Sequence, residues 1–564
     1  MPAFSGVNKP WHLPKYNGTH ICNSYSSFIN SLKESPDHVF DGENNAAPGS
    51  CEALDRHWGS SHLFKMSSTQ MLSNGRYLER TSEDTVTILD SMEREFEDMT
   101  VHRKPLKLSF DSLWRLAGLA REESLQFLIP SFLKKTENPK LHPTSYLDGL
   151  RGVAAFIVFI DHFAVNWFDL LRRGYGSTPD DYYIIQLPII RLLYSGRASV
   201  AIFFVISGFV LSYKSLKQIH AHQPGALLDT LASSVFRRGL RLYIPVAVGT
   251  FTSMLMAYWG MYQELPETST DALPPVFENF SDNFNHWYNH MVGISWPFQD
   301  VYPNTPYGPP YNGHLWTIPI EFYGSIVVYV MVLCLCRCQT WIRLGLMVFT
   351  SLCCLHYERW DLFLFLSGTF LAEMSLLEVN LTSFYEDDMS VADRIRRWLW
   401  VTNWTLFLLA LYLLSYPGGS FLDYEPGPGY WHEYLMYWTP RRYMELWYGF
   451  ERFWVTIGGF ILVFSISNSP ILQRLFVTRF AQYLGDIAYA LYIVHGPILF
   501  TFGAWFMNGY AGEESGWWYG QSFVMGAILN TILCIWVADM FWRGVDAKSV
   551  AFAKWFAGKC WVQQ

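Results

Sequence analysis

The chain has 564 residues, of which 51% are hydrophobic and only 16% are charged, and its formal net charge is −8. The charged fraction lies below the roughly 25% of soluble domains, which favours a membrane protein. The net negative charge points to no nucleic-acid-binding role. The nine cysteines show no framework or metal-ligand spacing, so neither a disulfide scaffold nor a metal site is predicted.

The first part of the chain is polar. Residues 1–107 contain no long apolar run and are predicted to be largely disordered. Residues 108–140 form an amphipathic segment and a linker, in which 108–134 are predicted to form a helix in the membrane interface. The alternative is that this segment packs against the protein's own surface. The first twenty residues show no basic stretch followed by an apolar run, so no cleavable signal is predicted and the first span directs insertion.

Residues 141–545 are dominated by apolar segments near the length of ~20 residues that a bilayer requires. They predict an all-α, polytopic helical bundle with about ten transmembrane helices, followed by a short cytoplasmic tail at 546–564. The predicted spans are 149–170, 196–213, 240–262, 315–336, 341–357, 360–379, 398–416, 450–468, 482–506 and 517–542.

The distribution of Lys and Arg predicts the orientation. The connection between the second and third spans is basic, whereas residues 242–336 contain no Lys or Arg and include an acidic loop at 263–313. By the positive-inside rule, the basic connection and both termini are cytoplasmic and the acidic loop lies on the other side. Four arginines violate the rule: Arg172, Arg173, Arg441 and Arg442.

The first span carries charged and titratable residues that are costly at membrane depth and are therefore functional candidates. Arg151 and His162 are eleven residues apart, which places them within about 20° of one helix face and about 16 Å apart along the axis. Asp161 points about 100° away from His162, so the two side chains are not expected to pair. The alternative is an interfacial Arg151 and a structural His162.

The third and fourth spans begin with further candidates. Arg238 and Arg241 share a helix face and are suited to binding phosphate, although a basic run at a cytoplasmic helix end also serves as an anchor. His314 and Glu321 lie seven residues apart, about 10 Å along the axis. Glu321 is a functional candidate, with structural pairing to an Arg or a Tyr as the alternative.

The ninth span places His495 directly before Gly496-Pro497, where a helix bends. The role of His495 is chemical or structural. The spacing alone leaves both open.

These motifs resemble, in the same order, those of the acyltransferase family 3 membrane proteins. The matching elements are Arg151 with His162, FFVISGF at 203–209, Arg238 with Arg241, HLWTIPIEFY at 314–323 and YALYIVHGP at 489–497. The resemblance covers residues 145 to about 545 and does not include the polar N-terminal region, residues 1 to about 140. One departure is that Phe322 follows Glu321, where many members carry a second acidic residue.

The resemblance implies an integral membrane enzyme that moves an acyl group, with acetyl expected, from a cytoplasmic acyl-CoA to a hydroxyl of a carbohydrate, lipid or other small acceptor. Acyl-CoA is then a donor substrate, and no bound cofactor is expected. We expect Arg151, Arg238 and Arg241 to hold the donor's phosphates and His162 to act as general base. Glu321 is expected to assist His162, and His314 and His495 to line the acceptor side.

Two alternatives remain open from the sequence. An acyl-His intermediate would use the same residues as direct transfer. A transporter or channel would also line a bundle with Arg, His and Glu, but it predicts inverted repeats with interrupted helices at matching positions, and the sequence shows none.

Overall fold

The computed structural model describes residues 127–134, 141–266, 273–296, 308–381, 389–418, 431–446, 449–510 and 517–561. Within these ranges the chain forms helices joined by loops, and no β-strand occurs in any of them. The described residues belong to one unit, Leu108–Gln564. The predictions for 1–107 and for 108–126 lie outside the described residues.

The principal helices are numbered in chain order. They are α1 (Ser145–Trp167), α2 (Gly196–His220), α3 (Pro224–Tyr258), α4 (Phe280–Ser295), α5 (Thr317–Leu335), α6 (Thr340–His356), α7 (Trp360–Leu381), α8 (Met389–Leu414), α9 (Gly449–Ser467), α10 (Arg479–Ile498), α11 (Trp517–Phe541) and α12 (Ala547–Cys560).

The ten predicted spans coincide with ten of these helices, which confirms the all-α polytopic bundle. Within the described part of the chain, seven helical stretches are long and apolar enough to cross a membrane, and they correspond to α2, α3, α5, α7, α9, α10 and α11. The other three predicted spans are α1, which carries three charged residues, the 17-residue α6 and the apolar part of α8. The count of about ten therefore exceeds the seven that meet both conditions.

Close contact between α1 and α10 positions the site. A Cβ atom on Gly152 would lie 2.2 Å from the backbone nitrogen of Gly485, so only glycine allows the two backbones to approach this closely. The same approach lets the Arg151 guanidinium donate to the Gly485 carbonyl at 3.0 Å. The charged end of α1 is thereby fixed to α10.

Helical structure extends further than the spans predicted from hydropathy. The predicted acidic loop contains α4, and the predicted tail contains α12. α3 begins at Pro224, about four turns before the predicted third span. Hydropathy reports only the part of a helix that contacts lipid, so polar extensions of the same helix escape it.

Residues 127–134 pack against the protein's own surface at the end of α11. The backbone nitrogen of Ser131 donates to the Asp539 carboxylate at 3.0 Å, and the Trp536 indole donates to the Leu128 carbonyl at 2.8 Å. Arg543 donates to the Ile129 carbonyl at 3.2 Å. These contacts agree with the alternative interpretation of the amphipathic segment, in which it packs on the protein. Phe127 and Leu128 are helical, and Ser131–Leu133 forms a 3₁₀ turn. The predicted position of the segment in the membrane interface stays a prediction.

Candidate active site

Three histidines from three helical elements meet at one point of the bundle. His162 comes from α1, His314 from the 3₁₀ turn Gly313–Trp316 before α5, and His495 from α10. The ring centroids of His314 and His495 are 4.1 Å apart, and the His162 ring lies 5.2 Å from that of His495 and 5.7 Å from that of His314. The structure therefore brings together three predicted residues that are far apart in the sequence.

Backbone carbonyls fix two of the rings. The His314 Nε2–H donates to the Tyr492 carbonyl at 2.9 Å, and the His495 Nδ1–H donates to the Leu491 carbonyl at 3.1 Å. Carbonyl oxygens only accept, so these contacts assign the proton of each neutral ring. The opposite nitrogen of each ring, Nδ1 of His314 and Nε2 of His495, is then the one that can accept a proton.

A narrow cavity lies against the three rings. It is bounded by the three histidines together with Gly313, Gly496, Leu499 and Phe500, and its volume of about 10 Å³ holds roughly one water molecule. This lining includes none of the three predicted arginines. A substrate must therefore widen the cavity before its reacting group can reach the rings.

His162 also lines the cavity, and hydrogen bonds of neighbouring residues stabilise this turn of α1. The Asn166 amide donates to the His162 carbonyl at 2.8 Å. The neighbouring Asp161 carboxylate accepts a hydrogen bond from the backbone N–H of Gly196, the first residue of α2. A Cβ atom at position 196 would lie 2.6 Å from an Asp161 carboxylate oxygen, so this link between α1 and α2 requires glycine.

The second predicted cluster is cationic. Arg151 lies 3.3 Å from Asp148 in addition to its contact with α10. Arg241 lies close enough to Arg151 and to Arg238 for its charge to interact with each of them. The structure therefore gathers the three predicted phosphate-binding residues at one end of the bundle.

Glu321 is paired with an arginine of the second cluster. Its carboxylate forms an ion pair with Arg238, and both side chains are largely buried. This contact is the one that the structural alternative predicted, a Glu paired with an Arg. The expectation that Glu321 assists His162 stays a prediction.

Sequence reasoning missed three residues that complete the two clusters. Tyr492 supports His314 through its carbonyl, and its hydroxyl contacts the His314 carbonyl and Thr317 Oγ1, the latter at 2.7 Å. The Tyr489 hydroxyl donates to the Leu242 carbonyl at 2.7 Å, one residue beyond Arg241. The signal for both was the three-residue spacing of Tyr489, Tyr492 and His495, which places them on one side of α10.

The third missed residue is Asp546. It ends a π-helical turn, Trp542–Asp546, that joins α11 to α12. Its carboxylate lies close enough to Arg241 and Arg151 for their charges to interact. No sequence signal identified it, because it lies beyond the matched motifs.

Gly496 gives the first testable prediction. A Cβ atom at this position would lie 2.5 Å from Cε1 of His314, whose ring is held by Tyr492. We expect Gly496→Ala to displace the His314 ring. The kcat for the expected acyl transfer, measured in isolated membranes, should fall by roughly 10- to 100-fold, since displacements of about 1 Å have effects of this size. Gly345→Ala in α6 is the matched control, because nothing lies within 4 Å of its added methyl group. Equal activity of both variants would contradict a role for the His314 position.

Comparisons with known proteins agree on one family. The model of the acyltransferase 3 family, described as an acyltransferase domain, matches residues 144–543. The chain is 30% identical over 455 residues to the O-acetyltransferase PaAT-1 of Phomopsis amygdali, covering 77% of this chain and 88% of the relative. It is 23% identical to acyltransferase clz18 of Cochliobolus lunatus, covering 69% and 91%, and 23% identical to acyltransferase R4 of a Phoma species, covering 65% and 86%.

No solved structure matches the chain. The family match covers the bundle and all seven predicted site residues, from Arg151 to His495. It confirms the resemblance that the motifs indicated. The chain therefore belongs to the acyltransferase 3 family and is a multi-pass membrane enzyme that transfers acyl groups.

Proposed function

We propose that the enzyme transfers an acetyl group from acetyl-CoA to a hydroxyl group of a small acceptor, with His162 as general base. The observation that carries the proposal is the meeting of His162, His314 and His495 at one cavity. His162 lies on α1, whose other end carries Arg151 of the arginine cluster. The name of the Phomopsis relative, an O-acetyltransferase, supports both the acetyl group and the hydroxyl acceptor.

The arginine cluster is the proposed site for the phosphates of the donor. Arginine offers planar, bidentate donors that suit phosphate oxygens. The extended arm of coenzyme A is roughly 15–20 Å long, and Arg151 and His162 are separated by about 16 Å along α1. A donor whose phosphates contact Arg151, Arg238 and Arg241 can therefore present its thioester to His162.

The chemistry at the cavity follows from this placement. The acceptor oxygen attacks the thioester carbonyl while its proton moves to His162, and the C–S bond then breaks. The thiolate of coenzyme A receives the proton from His162. His314 and His495 line the acceptor side, each with one ring nitrogen engaged by a backbone carbonyl.

Transfer through an acyl-His intermediate would use the same groups. In that case labelled acetyl-CoA would leave the label on the protein when no acceptor is present. Direct transfer would leave the protein unlabelled under the same conditions.

A thiol-release assay tests the proposed function. The purified full-length protein would be mixed with acetyl-CoA and, separately, a free sugar, a glycerolipid and a sterol. We expect free thiol to appear with at least one acceptor, together with a product heavier by one acetyl group. Transport of acetyl-CoA into liposomes without thiol release would instead identify a transporter and overturn the proposal.

We also propose that the arginine cluster faces the cytoplasm, as the distribution of Lys and Arg predicts. Arg173 is one of the four exceptions to that rule, and its charge is balanced by Asp181 at 2.9 Å. Asn279 begins an exposed sequon, Asn279-Phe280-Ser281. In the proposed orientation this sequon lies on the side of the membrane away from the cytoplasm.

Glycosylation provides the test of orientation. In a eukaryotic host we expect an endoglycosidase-sensitive shift in mass that Asn279→Gln abolishes. Asn380→Gln removes a second sequon, Asn380-Leu381-Thr382, which is predicted to lie on the cytoplasmic side. This variant should leave the shift in mass unchanged. The reverse result would show that the topology is inverted.

A further inference from the structure

Two helices continue well beyond the thickness of a bilayer at the arginine end of the bundle. The helical stretch Tyr519–Cys560 has 42 residues and α3 has 35, which correspond to about 63 Å and 52 Å, whereas the hydrocarbon core is about 30 Å thick. α12, the last part of the first stretch, packs along the beginning of α3, where the Phe556 ring stacks on Phe236 with centroids 5.9 Å apart. This extension therefore lies outside the hydrocarbon core.

α12 has two distinct faces. Ser549, Ala553 and Ala557 are buried and repeat every four residues, so they form the face that packs on the protein. A second, exposed face contains aromatic and basic residues that fall within about 60° of one another. They are Lys548, Phe552, Trp555 and Lys559.

The exposure of this outer face is unusual for a helix in water. The Trp555 side chain is 58% exposed and that of Phe552 is 44% exposed. Aromatic rings interleaved with lysines on one exposed face are typical of a helix that lies in the membrane interface. The three charged residues of α12 are all lysines, which suits an anionic surface.

A second segment exposes apolar side chains beside the π-helical turn that joins α11 to α12. Residues 127–134 leave Phe132 and Leu133 more than half exposed. The Phe127 ring lies under the Arg543 guanidinium, 4.8 Å away, and would be 3.3 Å from a Cβ atom on Gly544, within the turn that joins α11 to α12. The two segments are therefore neighbours at one end of the bundle.

We propose that the outer face of α12 and residues 127–134 together bind the lipid headgroups of the leaflet at the arginine end, with Lys548 and Lys559 contacting anionic phospholipid. The aromatic rings enter the headgroup region, and the two lysines reach the phosphates. Because Asp546 ends the turn that precedes α12, this contact also fixes the carboxylate that lies beside Arg151 and Arg241. Given the donor site proposed above, the leaflet thus positions a carboxylate beside the arginine cluster.

Lipid photocrosslinking tests the proposal without any measurement of activity. The full-length protein would be placed in phosphatidylcholine nanodiscs that contain a fraction of photoactivatable phosphatidylserine, and crosslinked peptides would be identified by mass spectrometry. We expect the crosslinks to map to α12 and to 127–134. Each lysine near an anionic leaflet changes binding about fivefold, so Lys548→Gln with Lys559→Gln should reduce the crosslinks by more than tenfold.

Lys554→Gln is the matched control, since Lys554 lies about 140° around α12 from Lys559. It should retain the crosslinks. Equal loss in both variants, or equal crosslinking by photoactivatable phosphatidylcholine, would overturn the proposal. A dimer in the nanodiscs that Trp555→Glu dissociates would overturn it as well, because the face would then bind a second copy of the chain.

Discussion

Replacing His162 with alanine is expected to abolish acyl transfer while the helical bundle stays intact. The His162 ring faces the rings of His314 and His495 at one small cavity and is the proposed base for the acceptor hydroxyl. General bases contribute about 10²- to 10⁴-fold, so kcat should fall by at least 100-fold. The apparent KM for acetyl-CoA should change little, because the donor's phosphates bind at the arginines.

Purified variants would be compared by initial rates and thermal unfolding. His356→Ala at the end of α6 is the matched control, since its ring packs on Tyr357, a partner outside the histidine cluster. This control should retain both activity and Tm. A His162→Ala enzyme with more than a tenth of the activity would exclude the base role. A much larger loss in His495→Ala than in His162→Ala would assign the base to His495 instead.

The separation of the two clusters along α1 could be predicted because it depends on helix geometry alone. The eleven-residue step from Arg151 to His162 predicts two sites along one helix, and the structure places the two residues in different clusters. The ten helices could be located because a bilayer imposes length and apolarity on each. These properties belong to one segment at a time.

The partners of each side chain could not be predicted, because they depend on how separate helices rotate against one another. Glu321 forms an ion pair with Arg238, and no spacing within α5 could identify this partner on α3. The support that Tyr492 gives to His314 likewise joins two helices. Asp546 was missed because it lies beyond the matched motifs, on a turn that packs back against two other helices.

Replacing Arg238 with alanine is expected to weaken donor binding and to destabilise the protein at the same time. The change removes a guanidinium proposed to bind phosphate and leaves the largely buried carboxylate of Glu321 without its ion-pair partner. Charge-assisted contacts contribute about 1.5–3 kcal/mol, so the apparent KM for acetyl-CoA should rise by about tenfold or more. The unpaired carboxylate should lower Tm by several degrees.

The double variant Arg238→Ala with Glu321→Ala separates these two effects. It removes the unpaired charge, so Tm should recover, whereas the KM for acetyl-CoA should stay high because the guanidinium is still absent. Arg343→Ala breaks a second buried pair, with Glu373, outside the arginine cluster, and it should lower Tm without raising KM. If the KM recovers together with Tm in the double variant, Arg238 serves the fold and does not bind the donor. If Glu321→Ala alone lowers kcat and shifts its pH profile at an unchanged KM, Glu321 acts on His162 after all, and the ion pair with Arg238 must open during the reaction.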